Sequence, residues 1–247
     1  MADIENPIGL LDSINASVLL AVTPEYSKVK AARSASKDHV AARTGPFAMQ
    51  TAHTTIEGKR LRFSKGGKDS GPTVLLLSPL PQSILCFDQI WPMLAQHLAV
   101  VALDLPGFGR SEGGYDVMTV EAQSRILDAF VREMDLHNFH IVGPDVGMPV
   151  ALHYAIHREH RAESLIIGDG PCVMPTANGS IIDKAVNSGF WRMMFRITGA
   201  RAFVDGAVRL ALVNYSPSAE ELADYVASYD GRIGPITHWF ASYPKNL

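Results

Sequence analysis

Apolar and polar residues are patterned differently in three parts of the chain. Between residues 50 and 171, short apolar runs alternate with amphipathic stretches. "TAHTTIEGKRLRFSKGG" predicts two short strands around a Glu57-Gly58 turn. "TVLLLS" (73–78), "AVVALD" (99–104) and "FHIVG" (139–143) are continuous apolar runs, the pattern of strands buried on both faces. "SLIIGD" (164–169) predicts a fourth. Helices are expected between them at 87–98, 120–134 and 147–158. In the second, Leu127, Phe130, Val131 and Met134 share one face and Thr119 supplies the cap. Strands and helices in this order predict an α/β fold with a mostly parallel, doubly wound sheet.

The flanks do not alternate. Residues 27–43 are rich in alanine and carry Lys28, Lys30, Arg33, Lys37 and Arg43 against Asp38, which predicts a docked helical extension within residues 1–50. After Pro171 only helical pieces are expected, over 172–247. Ser218-Ala219-Glu220-Glu221 is a capping box, followed by Leu222, Tyr225, Val226 and Tyr229 on one face. This region is expected to form a helical lid over the carboxyl edge of a core spanning 51–171.

Composition narrows the function classes. Apolar residues make up 47% of the chain and charged ones 19%, which suits a chain that buries a full core. A formal charge of -3 gives no overall pull toward nucleic acid or an anionic membrane. Cys86 and Cys172 build neither a disulfide framework nor a metal cluster. Asp3 and Glu5 are the reverse of a basic leader, and the apolar stretch at 18–22 is far too short to span a bilayer. A soluble, cytoplasmic protein with no cofactor and no nucleic-acid or membrane partner is expected.

The candidate chemistry lies in "HIVGPDVGMPVALHY" (140–154), where Gly143-Pro144-Asp145-Val146-Gly147 has the outline of a G-x-S-x-G elbow with aspartate in place of serine. In open α/β sheets, ligands bind beyond the carboxyl ends of the strands, and Asp145 falls there. A carboxylate, with an ordinary pKa of about 3.9, is already charged at neutral pH. It can displace a leaving group at saturated carbon and form an ester, which a base-activated water then breaks. By spacing alone, an ordinary helix N-cap aspartate explains the pattern equally well.

Three stretches together resemble the α/β-hydrolase superfamily, in its epoxide-hydrolase and haloalkane-dehalogenase-like branch. They are "GPDVGMPVALHYAIHREHRAESLIIGD", "LAVVALDLPGFGRSEGG" with its D-x-x-G-x-G-x-S loop, and "VLLLSPLPQS" at the place of the H-G-x-P turn. The resemblance implies that Asp145 is the nucleophile and that the backbone N–H groups of Val146 and Leu80 form the oxyanion hole. Ser78 and Pro79 stand where the family has His-Gly, and only Pro81 keeps its motif residue. Val146 stands where haloalkane dehalogenases typically have a tryptophan whose indole N–H holds the halide. That departure favours an epoxide, opened with lid tyrosines as acids, over a haloalkane; Tyr215, Tyr225 and Tyr229 are the candidates. A small apolar substrate is implied.

The family's order of nucleophile, acid and histidine gives Asp169 as the candidate supporting acid and His238 as the candidate base. Two further strand–helix units would be needed to finish the family's sheet, so the sheet is expected to be incomplete on its C-terminal side. The strand "SLIIG" then becomes an edge that invites a homodimer or a missing segment. A chain lacking the histidine is expected to form the ester without turning over. A non-catalytic protein of this fold that binds a small ligand or partner is the alternative, and a haloalkane dehalogenase-like or esterase-like hydrolase is another. His153, His157 and His160 have helical spacing but lack the H-E-x-x-H order, so a structural role is expected and no metal. Gly107-Phe108-Gly109 follows a strand, yet no helix starts close enough to hold a pyrophosphate.

Overall fold

The computed structural model describes residues 6–157, 162–168, 170 and 180–242. Two compact units divide the chain: Met1–Gly45 with Pro175–Ala241, and Pro46–Met174 with Ser242–Leu247.

The first unit opens with α1 (Leu10–Ala21) and α2 (Pro24–Ala35). The extension expected at 27–43 is thus helical only as far as Ala35. The sequence pattern did not bring out α1, because its buried Ala16, Leu19 and Leu20 lie opposite exposed Leu10, Leu11, Ile14 and Val18. A helix apolar on both sides leaves little amphipathic signal.

The second unit carries the sheet. Its strands are β1 (Thr51–Ile56), β2 (Lys59–Gly67), β3 (Thr73–Leu77), β4 (Ala99–Leu103), β5 (Phe139–Pro144) and β6 (Ala162–Gly168), in the spatial order β1-β2-β4-β3-β5-β6. Glu57 and Gly58, both at positive φ, make the predicted β1–β2 turn. β2 runs antiparallel to β1 and β4; the remaining pairs are parallel. Four of five residues are buried in both β3 and β4, as their apolar runs required. Val74, Leu76, Val100 and Ala102 pack with Met49, Ile84, Phe87 and Trp91 on one face.

Between β3 and β4, the helix expected at 87–98 is only α3 (Trp91–Ala95), preceded by a short 3₁₀ turn at Ile84–Phe87. Pro92 accounts for the late start, since proline has no N–H and fits only the first turn of a helix. The helix α4 (Val120–Glu133) starts where predicted, with Thr119 Oγ1 accepting from the Ala122 N–H at 3.2 Å. α5 (Gly147–His157) follows β5 directly.

β6, like β1, is an edge strand among the described residues, and most of it is exposed on both faces, with Ile166 at 62%. From β3 the chain winds outward to β4, then returns across β3 to place β5 on the opposite side. The carboxyl ends of β3 and β5 therefore flank the sheet's topological switch, where open α/β sheets bind ligands.

Beyond residue 180 the described chain belongs to the first unit up to Ala241 and is helical: α6 (Ile181–Asn187), α7 (Gly189–Ala211, broken at Gly199), α8 (Ala219–Tyr229) and α9 (Ile233–Ser242). The predicted capping box starts α8, with Ser218 Oγ accepting from Glu221 N–H at 3.2 Å and Glu221 Oε2 from Ser218 N–H at 2.7 Å. The N-terminal segment is tied to these helices. Arg33 donates to the Arg209 and Leu212 carbonyls at the end of α7, Val40 bridges to Tyr215, and Arg43 pairs with Glu220. No described helix is long and apolar enough to cross a membrane.

Candidate active site

Asp145 follows the last residue of β5, and its backbone is left-handed, at φ 50°. An N-cap residue sits in the extended region, so this is not the backbone of an ordinary cap. Such a conformation costs a non-glycine residue about 1–3 kcal/mol, and aspartate is among those that tolerate it best. Asp145 Oδ2 accepts a hydrogen bond from the Leu80 N–H at 2.6 Å, linking the turn after β5 to the turn after β3. Asp145 is partly exposed, whereas Val146 behind it is 3% exposed.

The elbow is as tight as its sequence demands. A Cβ added at Gly143 would come within 2.6 Å of the Gly147 carbonyl oxygen and 2.9 Å of Ala151 Cβ. The bare Cα at 143 lets α5 lie against β5 immediately after the turn. Met148 N–H donates to the Asp145 carbonyl at 3.0 Å, and Asp145 N–H to the Gly168 carbonyl of β6 at 3.1 Å. Asp145 is thus held at its amide, its carbonyl and its carboxylate.

The turn carrying Leu80 keeps its donor in place despite its altered motif. Ser78 is fully buried, donates its N–H to the Leu103 carbonyl at 3.0 Å and accepts from Leu105 N–H at 3.3 Å. The Leu80–Pro81 peptide is cis.

The loop after β4 has one organiser, Asp104, whose role the sequence pattern does not reveal. Asp104 is fully buried and forms an ion pair with Arg62, Nε to Oδ2 at 2.6 Å. The same carboxylate accepts from the N–H groups of Ile84 (2.8 Å) and Arg110 (2.9 Å). A Cβ at Gly109, whose φ is 52°, would stand 2.1 Å from the Asp104 carboxyl carbon. Ser111 Oγ donates to the Asp104 carbonyl at 2.6 Å and accepts from Arg62 N–H at 2.8 Å. The D-x-x-G-x-G-x-S pattern therefore encodes a carboxylate wrapped by its own loop. Gly107 N–H is bonded to the Glu112 carbonyl, so the loop's amides serve the loop and do not form a pyrophosphate cradle.

Asp169 falls outside the described residues, as do His160 and Cys172. His238 is exposed on α9 in the helical unit. Tyr215 donates its hydroxyl to Glu221, 2.7 Å from each carboxylate oxygen, and Tyr225 and Tyr229 are buried on α8. His153 and His157 stack, with ring centroids 4.0 Å apart, and His157 Nδ1 lies 2.8 Å from the His153 carbonyl. Among the described residues, no group of three or more His, Cys, Asp or Glu side chains could hold a metal ion.

A family model for the alpha/beta hydrolase fold matches residues 72–236, which contain both turns and the elbow. The chain belongs to the α/β-hydrolase fold family. A soluble epoxide hydrolase from Corynebacterium sp. is 30% identical over 206 residues, covering 76% of this chain and 70% of that protein. A haloalkane dehalogenase from Bradyrhizobium diazoefficiens is 26% identical over 131 residues, 53% of this chain and 42% of its own length. An uncharacterized hydrolase of Saccharomyces cerevisiae is 24% identical over 136 residues, and the match spans 44% of its length. Two of these three matches thus span less than half of the relative. Among solved structures, the haloalkane dehalogenase DbeA from Bradyrhizobium elkani shares the fold with a TM-score of 0.64 at 22% identity, over 81% of this chain and 69% of that one. These relatives set the chain in the epoxide-hydrolase and haloalkane-dehalogenase branch of the family.

Proposed function

We propose that the chain carries the nucleophilic half of an epoxide hydrolase-like site. The contact that supports this reading best is the 2.6 Å hydrogen bond from Leu80 N–H to Asp145 Oδ2 at the sheet's switch point. With Oδ2 on the Leu80 amide, the attack is assigned to Oδ1. It bonds to one carbon of the epoxide as that carbon's bond to the ring oxygen breaks, and the released alkoxide takes a proton from an acid. Tyr215, Tyr225 and Tyr229 are the candidates for that acid.

The product of this step is an alkyl ester whose carbonyl oxygen is Oδ2. When water adds to the ester carbon, negative charge develops on Oδ2. The Leu80 amide, joined by that of Val146, is then an oxyanion donor already in place. The water needs a base, for which His238 is the candidate, with Asp169 the candidate supporting acid.

Leu80 and Val146 also bear on the substrate class. Both side chains are aliphatic and neither can donate to a departing halide. An epoxide's oxygen stays attached to the product and takes its proton from the acid named above, so it does not call for a halide-binding donor at position 146. A small, mostly apolar epoxide is therefore the proposed substrate.

Incubation with a panel of small epoxides, followed by intact-protein mass measurement, tests the proposal. An adduct of the epoxide's mass is expected on the wild-type chain and absent from Asp145→Asn. No adduct with any epoxide, or an adduct that survives Asp145→Asn, would overturn it.

A further inference from the structure

Gly170 has no role in the reading above, yet it lies against the nucleophile. A Cβ built on it would stand 2.2 Å from the Asp145 carbonyl oxygen and 2.7 Å from Met148 Cβ. Both distances are below any that real Cβ atoms show. The backbone at 170 is not left-handed, so conformational freedom is not what calls for glycine there. What excludes a side chain is the elbow itself.

The same short segment meets Asp145 from a second direction. Two residues earlier, the Gly168 carbonyl accepts the Asp145 N–H at 3.1 Å. Asp145 therefore has an acceptor at its amide and a close steric stop at its carbonyl, both supplied by the exit of β6. A left-handed aspartate has few ways to keep its carboxylate on the Leu80 amide, because moving the 145–146 peptide swings the whole residue.

We infer that Gly170 is a positioning residue for Asp145, fixing the elbow so that Oδ2 stays on the Leu80 N–H. The inference rests on Asp145 being the nucleophile. A methyl group at 170 pushes the Asp145 carbonyl aside and takes the carboxylate off its donor. Gly168 is the matched control: a Cβ there meets nothing within 4 Å, and alanine keeps the carbonyl that Asp145 uses.

The test compares Gly170→Ala, Gly168→Ala and wild type by the rate of epoxide adduct formation and by hydrogen exchange at the Leu80 amide. In Gly170→Ala the adduct rate at saturating epoxide is expected to fall roughly a hundredfold, as for a reacting group displaced by about 1 Å. The half-saturating concentration should change little, because the groups that contact the epoxide stay in place. Leu80 amide exchange is expected to quicken at least about tenfold as its acceptor withdraws. Gly168→Ala is expected to match wild type in all three.

Unchanged Leu80 exchange in a folded Gly170→Ala overturns the inference, whatever the epoxides do. If the wild type forms no adduct while Leu80 exchange still quickens in Gly170→Ala, the epoxide reading fails and the positioning stands. Should Gly170→Ala not fold, the same change is made in an Asp145→Gly background. Glycine at 145 can yield to the methyl group, so folding is expected to return. Failure to fold there as well overturns the inference.

Discussion

Leu80 and Asp145 lie 65 residues apart in the chain and 2.6 Å apart as donor and acceptor. Register explains the meeting, since Leu76 of β3 pairs with Val142 of β5. Leu80 sits three residues past the end of β3 and Asp145 directly after β5, at the same end of the sheet. Neither could meet the other if β4 lay between β3 and β5.

Residue 145 should therefore separate fold from chemistry by choice of substitution. Asparagine tolerates the left-handed backbone and still offers an oxygen to Leu80, so Asp145→Asn should keep its stability within about 1 kcal/mol while losing adduct formation. Asp145→Val places a β-branched residue at φ 50° and removes the acceptor, and should lose about 2–3 kcal/mol. Urea unfolding of the two variants beside intact-mass measurements checks both statements.

Asp104 should be costly to remove although it lies outside the elbow. It is fully buried and satisfies Arg62 and two backbone amides. Asp104→Ala leaves the Arg62 guanidinium buried without that carboxylate and should cost about 3–5 kcal/mol. Chemical denaturation gives the figure directly. A loss below about 1 kcal/mol would mean that solvent reaches Arg62 once Asp104 is gone.

Gly143→Ala tests the packing of α5 on β5. The added methyl meets the Gly147 carbonyl oxygen and Ala151 Cβ inside contact distance, so the helix must move. A loss of about 1–3 kcal/mol is expected. Adding Ala151→Gly opens space on one side and should restore part of it, which a double-mutant cycle would show.

Acid should act on the exposed pair Lys59–Asp116. The hydrogen bond from Lys59, at 2.6 Å, is the main cause holding the Asp116 carboxyl below its ordinary range, with the Gly114 N–H also contributing. The folded state then binds that proton less readily than the unfolded one. The stability involved is present above the ordinary carboxylate value, near 3.9, and fades as pH falls through the lower folded value. Asp116 is 61% exposed, so the pair is worth no more than about 1 kcal/mol. Lys59→Met should be slightly less stable than wild type at pH 6 and indistinguishable from it once Asp116 is protonated, as paired denaturation curves would show.

Much of this fold could be read from local pattern. Strands β3, β4 and β5 announce themselves because burial on both faces forces unbroken apolar runs, and α4 because one face alone is buried. Thr119, Ser218 and the Glu57-Gly58 turn act within a few residues of themselves. What escaped depends on contacts between distant segments. Local pattern does not join Leu80 to Asp145, which only the resemblance to the family set in one site, and nothing near Gly170 in the chain marks it until the Asp145 carbonyl is found against it. The extent of α3 was a local error of another kind, in which Pro92 outweighed a good helical composition.

Asp145 takes its amide support from Gly168, the final residue of a strand with neighbours on one side only among the described residues. Fraying begins at such rims, long before the centre of a sheet gives way. The most exacting backbone angle near the reactive carboxylate is therefore anchored to one of the sheet's two edge strands among the described residues. On gentle warming, competence for covalent capture should disappear while the helical signal is still intact.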